Sequence, residues 1–339
     1  MNQTVQSAYD EWLSLYLTND GCPAGTLRIH RGGSEKYDTV SESIAWGMLI
    51  TVLMDNRSNN TQNTFDKLWK YYNSFLTKYG LMAWHISKDG KIMDNESATE
   101  ADENIAMALL YADKQWGSNG SVNYRKEAID LTDKIMKYEV EKNTYVLKPG
   151  INWGGSLSLN PAYFNPAFYR IWAAHDGTWI RVNKKCSEIY DIIHNSWRTG
   201  LFPDWCKADG SPTRLGYNFY YDACQVPLKI GLDYLWNGYG SKYLLKLNTW
   251  LMTKTGGNPQ AIVDGYQLGG TAIGKYHNAS FVGPLCISAM ADTYQPQWLD
   301  AIYADLVDIG TGGNWGYYQD TLRLFSLLIV SGNVPDLWR

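Results

Sequence analysis

Apolar residues along this chain recur every three to four positions in one segment after another. The clearest stripe runs through Ile105, Ala108, Leu109, Ala112 and Trp116 and predicts an amphipathic helix with that face inward. The same spacing predicts helices at about 4–18, 41–55, 62–77, 101–116, 124–140, 161–175, 179–197, 222–237, 240–254, 279–292, 296–308 and 319–331. Segments rich in Gly, Asn, Asp and Pro separate them. Alternation of the strand type is scarce; Tyr145–Leu147 and Ala261–Val263 are the two expected short strands. The pattern is therefore mainly α. No Pro/Ser linker or charged run divides the chain, so one all-helical domain over residues 1–339 is expected. No motif repeats at a fixed period, which favours a closed ring of helical hairpins over a solenoid. The longer polar loops should then gather at one end, where function usually lies.

Composition narrows the picture. The chain holds 15 Trp and 25 Tyr against 8 Phe, an excess of rings that combine an apolar face with a polar edge. Such rings serve at the margin of a large core or along the face of a sugar, and composition alone does not choose. A net charge of −4 supplies no basic field for nucleic acid or anionic lipid, so neither is an expected partner. No apolar run reaches the length of a membrane span, and MNQTVQSAYDEWLSLYL lacks the basic start and apolar segment of a signal peptide. Five widely spaced cysteines without a CxxC pair signal neither a zinc site nor a disulfide framework, and at least one must be free.

Candidate chemistry lies in three acidic helix starts. Glu42 opens an apolar segment, SESIAWGM, and stands three residues after Thr39 in the T-x-x-E spacing of a capping box. Residue chemistry alone favours that capping role. ATEADENIA crowds Glu100, Asp102 and Glu103 into the start of another helix, more negative charge than the helix dipole asks for. Asp222 lies beside Tyr220 and Tyr221, where a helix-start acid is again a sufficient account. Two carboxyls brought to one cleft, with their pKa values driven apart, are the minimal apparatus for breaking a glycosidic bond.

Taken in order, the segments SESIAWGM, ATEADENIAMALLYADKQW, LKPGINWGG, NPAYFNPAFY, FPDW, YDACQ, HNASFVGP and WGYYQDTLRL resemble glycoside hydrolase family 8 over nearly the whole chain. The resemblance implies an (α/α)6 barrel of six inner and six outer helices and an inverting mechanism without metal or cofactor. It implies Glu42 as general acid, Asp222 as the base that activates water, and Asp102 as a third acid holding the distorted sugar. An inverting pair stands about 6.5–9.5 Å apart to admit that water. Trp84, Trp153, Tyr163 and Tyr221 are the implied sugar track, joined as substrate contacts by Gln225 and Tyr318. The implied partner is a β-linked polysaccharide or oligosaccharide, cut by a secreted monomer whose export segment has been removed.

The chain departs from the family pattern at two places. Glu100 stands where Asp is usual, and Gln225 replaces an Arg commonly found three residues after the base. Loss of that cation predicts a base titrating somewhat higher, or an altered subsite. ATEADE resembles the ATDAD of the family's glucanases more than the PDGEE of its xylanases, so β-1,4-glucan is the expected substrate and xylan the runner-up. A carbohydrate-binding protein on the same scaffold would not need three acids.

Overall fold

The computed structural model describes residues 3–56, 58–312 and 316–338, and all statements of structure concern these. Twelve α-helices occupy them: α1 Gln3–Tyr16, α2 Ser41–Leu53, α3 Gln62–Ser74, α4 Thr99–Trp116, α5 Tyr124–Tyr138, α6 Pro166–Trp172, α7 Trp179–Ser196, α8 Val226–Asn237, α9 Ser241–Thr255, α10 Ala279–Ala289, α11 Pro296–Asp308 and α12 Gly316–Val330.

Two kinds of helix alternate along the chain, and their sequences show why. The odd-numbered helices carry one apolar stripe: α11 buries only Trp298, Ile302 and Leu306. A stripe of that width covers one neighbour and leaves the other face to water. The even-numbered helices are buried nearly all round; every residue of α10 is inaccessible, as is all of α2 apart from Glu42 and Leu53. A helix apolar on all sides must stand inside. Accordingly α2, α4, α6, α8, α10 and α12 form an inner ring, and each outer helix packs on an inner one: α3 on α2, α5 on α4, α7 on α6, α9 on α8, α11 on α10, α1 on α12. The Trp46 and Phe325 rings, 4.7 Å apart, join α2 to α12, and the Tyr169 hydroxyl on Glu103 joins α6 to α4. The fold is an (α/α)6 barrel, and its buried core runs from Val5 to Val334.

Inner helices approach closely where side chains are small. A methyl group on Gly231 of α8 would lie 2.3 Å from Ile287 Cγ2 of α10. Gly231→Ala is therefore expected to cost about 1–3 kcal/mol through overpacking, read as a lowered melting temperature in thermal denaturation.

Several local expectations change. The segment expected as one helix at 161–175 is a 3-10 turn, Pro161–Tyr163, followed by α6. Pro166 explains the break: it suits a first helical turn but cannot continue a helix. Before α8, Ala223–Gln225 is likewise a 3-10 turn. Leu147 makes one isolated bridge to Val140, and Ala261 ends a 3-10 turn, so neither expected strand forms. Short strands arise elsewhere, among them Thr39–Val40 paired with His85–Ile86. That pairing removes the capping box: Thr39 Oγ1 accepts from Arg28 and bonds the Ile29 carbonyl, Val40 is the N-cap, and no side chain caps α2. Glu42 is left free of the capping duty that residue chemistry had favoured for it.

Candidate active site

The starts of α2, α4 and α8 converge at one end of the barrel, with the start of α12 beside them. Glu42, Glu100, Tyr163, Tyr221, Asp222, Gln225, Tyr317 and Tyr318 line a cavity of about 370 Å³ there, rimmed by Arg31 and Glu35. Tyr163 is shared with a second cavity of about 470 Å³ whose walls are Trp84, Trp153, Asp94 and Glu96. The two form a continuous groove: acids at one station, aromatic faces along the next.

Glu42 lies in the first turn of α2, and Tyr317 donates to its Oε1 at 3.3 Å. Burial pushes the carboxyl up to about 8, and the Glu100 charge pushes the same way; the Tyr317 hydrogen bond and Arg31 oppose them, and Asp222 adds to the rise. Arg31 is itself held by Asp38 through two bonds, at 2.9 and 2.7 Å, which ties its charge to a second carboxylate. At neutral pH Glu42 thus carries a proton and can give it away.

Asp222 sits at the N-cap of the turn before α8. Burial raises its carboxyl to about 7, Asp204 adds to the rise, and the Trp205 indole N–H, donating to Oδ2 at 2.9 Å, works against it. Burial thus raises both carboxyls of the groove, and they differ in what surrounds them: Glu42 has Glu100, Tyr317 and Arg31, and Asp222 has Asp204 and Trp205.

Two residues of this site were not read from the sequence, although both lie in FPDW. Asp204 Oδ1 accepts from the backbone N–H of Tyr220, Asp222 and Ala223, at 3.2, 3.1 and 2.7 Å, and so builds the turn that aims Asp222. Trp205 bonds Asp222 and stands 5.3 Å from the Trp153 ring, joining that carboxyl to the aromatic wall. The signal is an Asp–Trp pair, Asp204 and Trp205, in a loop that precedes Asp222. Asp204→Ala frees three N–H groups and is expected to lower kcat about 10-fold or more with little change in KM, measured by steady-state hydrolysis of soluble glucan.

The third acid requires a correction. Asp102 does not reach the groove; it is fully buried on the far side of α4, where Tyr72 donates to Oδ1 at 2.7 Å. Burial, with Glu139 next to it, holds Asp102 protonated, well above the usual carboxylate range. Glu103 faces α6, accepting from Tyr169 at 2.6 Å. The acid of this helix in the groove is Glu100, whose Oε1 lies 2.9 Å from the buried Lys229 Nζ. Successive residues turn by about 100°, so acids two apart at one helix start point nearly opposite ways.

The remaining candidates fall as follows. Trp84, Trp153 and Tyr163 line the groove, with Trp153 38% exposed and open to stacking. Tyr221 lines the acid cavity and is fixed by its hydroxyl, which donates to Asp264 at 2.7 Å. Gln225 donates from Nε2 to the Tyr318 hydroxyl at 3.1 Å, while Tyr318 donates to the Tyr221 carbonyl. Gln225 Oε1 is buried without a protein partner.

A helical barrel whose groove sets buried carboxyls beside a wall of indole and phenol rings is built as a glycoside-cleaving enzyme. The match to glycosyl hydrolases family 8 extends over residues 1–332, and the chain belongs to that family. It is 41% identical over 343 residues to endoglucanase 2 of Ruminiclostridium josui, covering 99% of this chain and 73% of that protein. The apo structure of a β-1,3-1,4-glucanase from Paenibacillus sp. X4 superimposes with a TM-score of 0.88 at 32% identity, over 97% of this chain and 91% of the other. A reducing-end xylose-releasing exo-oligoxylanase of Halalkalibacterium halodurans is more distant, 25% identical over 87% of this chain and 80% of its own. The protein is a glycoside hydrolase.

Proposed function

We propose that this enzyme is an endo-β-1,4-glucanase, acting on soluble cellulose derivatives and mixed-linkage β-glucan with inversion at the anomeric carbon. The observation that carries the reading is the pair of buried carboxyls in one groove, each held by its own donor: Glu42 by the Tyr317 hydroxyl and Asp222 by the Trp205 indole. Glu42 protonates the leaving glycosidic oxygen. Asp222 takes a proton from a water attacking the opposite face of the sugar. Glu100, in the same cavity and paired with Lys229, faces the positive charge that develops on the ring as the bond breaks. Trp84, Trp153 and Tyr163 offer flat faces to the axial C–H surfaces of successive sugars, whose equatorial hydroxyls reach Asp94 and Glu96 at the edge.

The glucan assignment rests on the names of the nearer relatives, an endoglucanase and a β-1,3-1,4-glucanase. A polymeric substrate cannot cross a membrane intact, so the proposal includes action outside the cell. Gln225 lines the cavity with Asp222, and its unpartnered Oε1 is an acceptor for a sugar hydroxyl. Gln225→Arg would fill that place with a cation beside Asp222, and the acidic limb of the kcat/KM pH profile is expected to fall by about 1 unit. An unmoved limb would remove Gln225 from the account of the base.

Reducing-sugar release from carboxymethylcellulose, barley β-glucan, xylan and chitosan, measured in parallel with Glu42→Gln as control, tests the assignment. Highest kcat/KM on a glucan is expected. Preference for xylan would overturn the substrate class, and binding to the polymers without hydrolysis would overturn the catalytic reading altogether.

A further inference from the structure

Lys229 is an anomaly in the barrel. It lies on α8 in VPLKIGL, a sequence otherwise apolar, and its side chain is 2% exposed. An unpaired ammonium there would be driven to lose its charge. Its Nζ is 2.9 Å from Glu100 Oε1 and 5.3 Å from the centre of the Trp46 ring, and Glu103 feels its charge from the next turn of α4. A buried ion pair is no more stabilising than apolar side chains of the same volume would be, so stability alone is a poor reason for one. This pair stands immediately beneath the acids of the groove.

We propose that Lys229 is a positioning residue for the reaction: through its ion pair it holds the Glu100 carboxylate in the cavity that Glu42 lines. The proposal rests on the reading of Glu42 as the acid.

The charges facing Glu42 come from four directions: Glu100 from α4, Asp222 from the turn before α8, Arg31 from the loop before α2, and the Tyr317 hydroxyl from α12. Arg31 is engaged by Asp38, which also meets His85 at 2.8 Å, and Glu35 lies 3.4 Å from Arg31. After burial, Glu100 is the largest influence holding the proton on Glu42. Glu100 is itself 3% exposed and shares the cavity with Glu42 and Asp222. Lys229 is the cation that meets it there, and without that partner nothing of opposite charge holds the Glu100 carboxyl in place beside Glu42.

Chain geometry explains the reach. Lys229 lies four residues after Gln225, one turn deeper on the same face of α8. An Asp at position 100 would end about 1.5 Å short of the contact Glu100 makes. The longer acid and the absent cation at Gln225 are thus two parts of one arrangement, in which the counter-charge comes from beneath the groove rather than from its wall.

The test is the pH dependence of kcat/KM on mixed-linkage glucan for the wild type, Lys229→Met, Lys229→Arg, Glu100→Gln and the double variant Glu100→Gln/Lys229→Met. The alkaline limb is expected to fall by on the order of 1 unit in Lys229→Met and Glu100→Gln and to stay in place in Lys229→Arg. The double variant should match Glu100→Gln, because Lys229 has no path to Glu42 once the carboxylate is gone. A limb unmoved in Lys229→Met despite a lower melting temperature would overturn the proposal. So would a further shift of the limb in the double variant. If Lys229→Met does not fold, the double variant, which buries neither charge, is compared with Glu100→Gln, and Lys229→Arg with the wild type, under the same criteria. Glu42→Gln separates the two readings: if it keeps both its activity and its alkaline limb, the acid itself is misassigned and the proposal falls with it.

Discussion

Glu42→Gln is expected to lower kcat on soluble β-glucan by roughly 10³-fold while leaving the barrel folded, because the amide keeps the shape of the acid and loses its proton. The wild-type kcat/KM profile should be a bell with its acidic limb from Asp222 and its alkaline limb from Glu42, both displaced upward from ordinary carboxylate values by burial. The same substitution carries a stability signature of opposite sign. Glu42 titrates near 8 in the native protein against an ordinary value of 4.5, so between those pH values the native chain binds more protons than the unfolded one. Wild-type stability contributed by this group is therefore whole below about 4.5 and falls as pH rises to 8. Gln has no proton to lose, so the melting temperature of Glu42→Gln should gain on the wild type between pH 5 and pH 8. A variant that loses activity and gains relative stability in alkali has lost chemistry and not structure.

Asp222→Ala is expected to lose activity by about the same 10³-fold, for a different reason. The protonated Glu42 remains, but no group takes the proton from water. Removing the carboxylate also opens space beside Trp205 and Tyr221, enough for a small anion that needs no base. Azide should restore part of the turnover and yield a glycosyl azide of α configuration from a β-linked substrate, since it enters from the side where water attacked. Chromatography and proton NMR of the product read this directly. No rescue, or a β-azide, would place the attacking water elsewhere.

Much of the fold was legible in the sequence because it rests on periodicity. The difference between α10, apolar on every side, and α11, with a single stripe, is visible in the residues and decides which helix stands inside. The breaks at Pro166 and before Val226 were less visible, since both segments keep a helical spacing of apolar residues through a 3-10 turn.

At the site, sequence reading identified Glu42, Asp222 and the rings of Trp84, Trp153 and Tyr163, which the groove brings together. It attributed to Thr39 and Glu42 a cap that the strand at Thr39 forbids. It chose Asp102 over Glu100 because three acids in one turn differ only in angle, and the angle needs the neighbouring helices. One clue was present: Lys229 in an apolar helix calls for a buried carboxylate, and only an acid on the groove side of α4 meets it. Asp204 acts on backbone N–H groups 16 to 19 residues further along the chain, a relation with no local pattern.

The central claim is that Glu42 and Asp222 act from opposite faces of the scissile bond, with water between the base and the anomeric carbon. The anomer of the first product tests it most directly. Proton NMR of barley β-glucan or cellopentaose, recorded within the first turnovers and before mutarotation, should show the α-anomeric signal of the new reducing end appearing ahead of the β. Early accumulation of the β-anomer would mean retention through a covalent intermediate, and the assignment of Asp222 as a base would be wrong.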